Sequence, residues 1–191
     1  MTPRRLKLAS ILAGIALSAL TLLAWTQRWY VITLETGQSL AVDGDVAAPA
    51  LTALALSGLA LAAALAIAGG FFRVVLGLLQ ASLGALIITS AAIAIADPVV
   101  ASERAITDET GVAGRESIAN LVSVVAASLW PYATLALGIL LTVLGLAIVA
   151  SSRRWPESSR KYSATTLENE AGERSAVGDW DALSDGRDPS V

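Results

Sequence analysis

Four stretches of the chain, 8–25, 50–68, 74–96 and 131–150, contain no Asp, Glu, Lys or Arg. Each reaches the roughly 18 apolar residues that a helix needs to cross the hydrocarbon core of a bilayer, so each is predicted to span. Only Gly69-Gly70-Phe71-Phe72-Arg73 separates the second stretch from the third. A link that short forces two helices to lie antiparallel and side by side, with Arg73 held near one membrane surface. The first stretch follows the basic residues Arg4, Arg5 and Lys7. A cleaved signal peptide shares that layout, but its apolar core typically runs about 7 to 15 residues and ends at a small-x-small site. Here the run is longer and its small residues Gly14 and Ala16 lie inside it, so an uncleaved anchor is expected.

Between the first two spans the pattern changes from helical to alternating. Trp29-Tyr30-Val31-Ile32-Thr33-Leu34 and Ser39-Leu40-Ala41-Val42, joined by Glu35-Thr36-Gly37-Gln38, predict a small β-hairpin outside the membrane. Asp45 is a candidate N-cap for the second helix, with Pro49 tolerated in its first turn. From Asp97-Pro98 the chain is polar through Glu116, and then Ile118, Leu121, Val122, Val125 and Leu129 recur at helical spacing. That predicts an amphipathic surface helix leading into the last span. Trp25, Trp29, Trp130, Trp155 and Tyr162 all fall at span ends and are candidate interfacial anchors.

Within the spans the informative residues are small ones. Gly58, Ala62, Ala66 and Gly70 recur every fourth residue in the second; Gly77, Ala81 and Ala85 do so in the third, beside Gly84. Such stripes let helix backbones approach, and the two faces are expected to meet each other. Gly138 and Gly145, one heptad apart, mark a close contact on the fourth. Gln80 is the lone carboxamide in any span and is a candidate polar contact, either between helices or with a solute.

Composition sharpens this picture: 191 residues, 55% hydrophobic, with a mean hydropathy of +0.66, exclude an ordinary soluble domain. The fold class is therefore an all-α membrane protein, a four-helix transmembrane bundle over residues 1–162 with a small extracytoplasmic hairpin and amphipathic helix. The net charge of −3 belongs to the C-terminal segment. From Ser163 to Val191, seven acids face Arg174 and Arg187, a composition that predicts a disordered acidic cytoplasmic tail. Ahead of it, Arg153, Arg154, Arg160 and Lys161 join Arg4, Arg5, Lys7 and Arg73 on one side of an even-numbered bundle. The positive-inside rule places that side, and both termini, in the cytoplasm of a plasma-membrane protein.

Catalytic chemistry has little to work with. The chain has no Cys and no His, and the acids nearest the membrane, Asp43, Asp45 and Asp97, sit where helix capping explains them. No enzyme activity, cofactor, metal or nucleic-acid partner is expected.

Taken in order, several short motifs resemble a known family. They are Trp25 and Trp29, then Gly44-x-x-x-x-Pro49-Ala50-Leu51 followed by Ala53-Leu54-Ala55-Leu56, and Arg73-Val74-Val75-Leu76-Gly77. Trp130-Pro131, the paired Gly138 and Gly145, and Arg154-Trp155-Pro156 with Tyr162 complete the set, with Ser158 and Lys161 where the family pattern has Met and Arg. From Leu8 to Tyr162 the chain resembles the actinobacterial membrane proteins associated with tryptophan biosynthesis, whose genes sit in or beside the tryptophan operon. The resemblance implies a four-span plasma-membrane protein. Besides the lipid bilayer, the expected partner is another protein or a second copy of the chain, engaged by a structural or interaction protein. The alternative is a small carrier or exporter of tryptophan or a related aromatic metabolite, with Gln80 on its route.

Overall fold

The computed structural model describes residues 3–151. Trp155, Tyr162, the basic block around them and the acidic tail lie outside the described residues.

Four apolar helices form the body: α1 (Pro3–Trp25), α3 (Leu51–Ile67), α4 (Gly70–Ala96) and α8 (Trp130–Ser151). Three of them, α1, α4 and α8, are long and apolar enough to cross a membrane. The other, α3, has 17 residues and so spans about 26 Å, a little under the hydrocarbon thickness. They pack in the ring order α1-α3-α4-α8, each antiparallel to its neighbours, with the α4/α8 contact the most extensive. Large side chains such as Leu12, Leu56, Leu79 and Leu140 point outward, while Gly14, Gly58, Gly84 and Gly145 are buried. Outward leucines suit lipid, which gives no drive to hide them, and small residues inside let the helices close.

Both ends of the bundle are closed differently. At one, Leu6, Ile11, Leu65, Leu76, Leu144 and Ile148 pack together. Here the α3 C-terminus is met by two cations: Lys7 Nζ donates to the Ala66 carbonyl at 2.7 Å and Arg73 Nε to the Ala68 carbonyl at 3.1 Å. Terminal carbonyls lack helical partners, and positive charge suits that end of the helix dipole.

The other end carries a cap. It contains β1 (Arg28–Leu34), β2 (Ser39–Asp43), α2 (Gly44–Ala47), α5 (Pro98–Ala101), α6 (Glu103–Thr110), α7 (Arg115–Leu121) and β3 (Val122–Ala127). The sheet order is β2-β1-β3, all antiparallel, with Ile32 opposite both Leu40 and Val125. Trp29, Ile32, Leu34, Val42, Ile106 and Ile118 form its core, continuous with Leu51 and Ala94 of the helices below.

Four expectations need correction. The amphipathic helix over 118–129 stops at Leu121, and Val122–Ala127 is a strand on the open edge of β1. Its β-branched Val122, Val124 and Val125 favour extended backbone once an unpaired edge is available. The third apolar helix begins at Gly70, so only Ala68 and Gly69 link it to the second, and the Arg73 side chain is buried against that turn. Asp45 does not cap the second span: α3 starts at Leu51 after Ala50, and Asp45 sits in the first turn of α2, its carboxylate accepting from Val46 N at 2.8 Å. Trp29 does not present its ring at the surface as an interfacial anchor would. It is fully buried in the cap and donates through Nε1 to the Ala24 carbonyl at 2.9 Å. Trp25 and Trp130 are partly buried against the same core.

Candidate functional site

The stripes of small residues occupy two separate contacts, and the expected meeting of the second and third spans' small faces is not one of them. On α3, Gly58 and Ala62 face α1: a methyl group on Gly58 would overlap the Ser18 hydroxyl, and one on Gly14 would reach Ala62 Cβ at 3.4 Å. Ala66 is exposed and contributes its carbonyl to Lys7. On α4, Gly77 and Gly84 face Gly145 and Gly138 of α8. A methyl on Gly77 would lie 3.1 Å from the Gly145 carbonyl oxygen and one on Gly84 2.8 Å from that of Gly138. Ala81 sits between them, its backbone against Gly145.

Gln80 lies where these contacts converge. It is 4% exposed and Ser18 is fully buried. Neither the Gln80 Nε2 nor the Ser18 Oγ has a hydrogen-bond partner among the described residues. Gly58 separates them, since a methyl group there would be 3.9 Å from Gln80 Nε2 and in collision with Ser18 Oγ. Beside Gln80 a crevice of about 10 Å³ is lined by Ser10, Gly14, Leu61, Leu65, Leu76 and Leu144, among others, which is space for about one water. Ser18 was not singled out from sequence, although Ser10, Gly14 and Ser18 recur every fourth residue just as the stripe on α3 does.

At the capped end several polar groups are paired. Asp97 caps α5 by accepting from Val100 N at 3.1 Å and also receives the Arg115 guanidinium. Gln38 donates to Glu109 at 2.7 Å, tying the hairpin turn to α6. The Tyr30 hydroxyl donates to the Ala94 carbonyl at 2.8 Å. Burial, and secondarily the nearby Tyr132, pushes its pKa up to about 12. Between α2, α4, α5 and α6 an open groove of about 590 Å³ runs over Val46, Ile93 and Val100.

Among the described residues no group of His, Cys, Asp or Glu is placed to hold a metal ion. What the geometry offers is close helix association, a polar spot inside an apolar bundle and an open groove at the capped end. These features define an integral membrane protein built on an up-down-up-down helical bundle. The sequence pattern of the tryptophan-associated transmembrane protein family matches residues 10–190, and the chain belongs to that family. The match runs through the acidic tail, further than the motifs ending at Tyr162 that carry the resemblance. No curated protein and no solved structure gives a significant match.

Proposed function

We propose that this protein is a non-enzymatic interaction protein of the plasma membrane, with its capped end outside and both termini in the cytoplasm. The supporting observation is the contrast between its interior and its exterior. Among the described residues the crevice beside Gln80 holds about 10 Å³, too small for an aromatic solute, whereas the capped end presents a groove of about 590 Å³. Recognition therefore belongs to surfaces outside the bundle. Orientation draws support from charge: Arg5, Lys7 and Arg73 lie at the uncapped end, while acids outnumber Arg28, Arg104 and Arg115 at the capped end. The family's association with tryptophan makes a pathway enzyme or a transporter the partner to look for. Crosslinking in native membranes followed by pull-down should recover one consistent protein or a second copy of the chain. If it recovers neither, and deletion lowers tryptophan or indole efflux, the reading fails.

A second reading, a carrier for an aromatic metabolite, is favoured by one observation: Ser18 and Gln80 carry buried polar atoms without partners among the described residues. Its test is solute movement by purified protein in liposomes. A carrier would move the solute, and Gln80→Leu would abolish the flux.

A further inference from the structure

The groove at the capped end borders the apolar helices α3 and α4. Its floor includes Ile93, 63% exposed and within one turn of the end of the membrane helix α4, and Pro49, just ahead of α3. Its walls are apolar, with Val46 and Val100 among them, and its rim carries Glu103, Arg104 and Asp108. The groove is open along its length, with about 590 Å³ of space over it.

We propose that this groove holds one phospholipid with a primary-ammonium headgroup, its acyl-glycerol junction on Ile93, Val100 and Pro49, its phosphate on Arg104 and its ammonium on Glu103 and Asp108. Ile93 and Leu86, two turns apart on α4, are both exposed, so a lipid lying along that helix reaches the groove at Ile93. The rim carries both signs of charge, as a zwitterionic headgroup does. Arg104 and Asp108 approach only to 3.9 Å, with side chains 81% and 74% exposed. A pair that exposed holds its partners weakly, so both heads can turn to a ligand. A primary ammonium offers three N–H donors to the two carboxylates. A quaternary ammonium has none and is normally held by aromatic rings, which the groove lacks. A purely anionic headgroup would face two carboxylates with a single arginine.

This proposal goes beyond the interaction reading and stands or falls separately from it. The test is native mass spectrometry of the full chain released from nanodiscs containing equimolar phosphatidylethanolamine, phosphatidylcholine and phosphatidylglycerol. The expected result is one retained phosphatidylethanolamine per chain. Replacing both rim acids, Glu103→Gln with Asp108→Asn, should reduce that preference about tenfold, in line with the loss of charge-assisted hydrogen bonds. Ala113→Trp, which fills the groove from an exposed position, should abolish retention with no change in thermal midpoint. No retained lipid, equal retention of the three lipids, or retention indifferent to both variants would overturn the proposal, as would a peptide or aromatic solute occupying the groove instead.

Discussion

Gly145 of α8 lies so close to Gly77 of α4 that a methyl group in its place would sit 2.7 Å from the Gly77 carbonyl oxygen. One heptad away, a methyl on Gly84 would come within 2.5 Å of the Thr142 backbone nitrogen. Both collisions are with backbone, so relief requires the helices to part. Gly145→Ala and Gly84→Ala should each destabilise the fold by about 1–3 kcal/mol. Gly69→Ala, where an added methyl meets nothing within 4 Å, should leave it unchanged. Thermal unfolding in one fixed detergent separates the two outcomes, and equal midpoints for all three variants would refute the close α4/α8 contact.

Tyr30 links the sheet to the end of α4 and should make stability sensitive to alkali. Its folded pKa is raised from 10.0 to about 12, so the neutral phenol is favoured in the folded state. The resulting stability is complete below pH 10 and is lost as the pH rises from 10 to 12. Tyr30→Phe should flatten that alkaline decline and cost about 1 kcal/mol at neutral pH through the unpaired Ala94 carbonyl. Denaturant unfolding at neutral and alkaline pH would test both parts.

Gln80→Leu should raise the thermal midpoint or leave it unaltered. The substitution removes a buried amide nitrogen that has no partner among the described residues, whose desolvation costs roughly 1–3 kcal/mol. A marked loss of stability would mean that the amide is an essential bridge between helices. Unchanged stability with lost liposome flux would instead favour the carrier reading.

Since the chain contains no cysteine, single substitutions report the orientation cleanly. Ser39→Cys, exposed on β2, should react with a membrane-impermeant maleimide in intact cells. Gly69→Cys, exposed at the opposite end of the bundle, should react only after permeabilisation. The reverse pattern would invert the proposed topology.

The four apolar helices could be read from the sequence because each contains a long charge-free run, a signal that survives any packing arrangement. Which helix faces which was less accessible. Small residues every fourth position mark a face without naming its partner. The matching seven-residue intervals of Gly77 to Gly84 and Gly138 to Gly145 did carry that information, since antiparallel helices with equal intervals interlock at both points. The cap resisted for a different reason. Val122 and Val125 fit a helical stripe and a strand equally well, and the choice was made by the open edge of β1, nearly a hundred positions earlier. Trp29 misled in a similar way. Its place at a span end suggests an interfacial ring, but the following strand turns it into the cap, where Gly44 leaves room for the indole. Ser18 shows its importance only beside Gly58, a neighbour from another helix.

The sheet also imposes an order on biogenesis. Ser128 donates to the Arg28 carbonyl across 100 positions, next to the ladder in which β1 pairs with β3. The ribosome therefore delivers β1 long before its second partner, and two further helices must enter the membrane in the interval. Until then β1 and β2 wait as a hairpin with one raw edge, the kind of surface that captures strands from other chains. A nascent chain stalled after α4 would be exposed to that hazard, and β3 acts as the clasp that ends it.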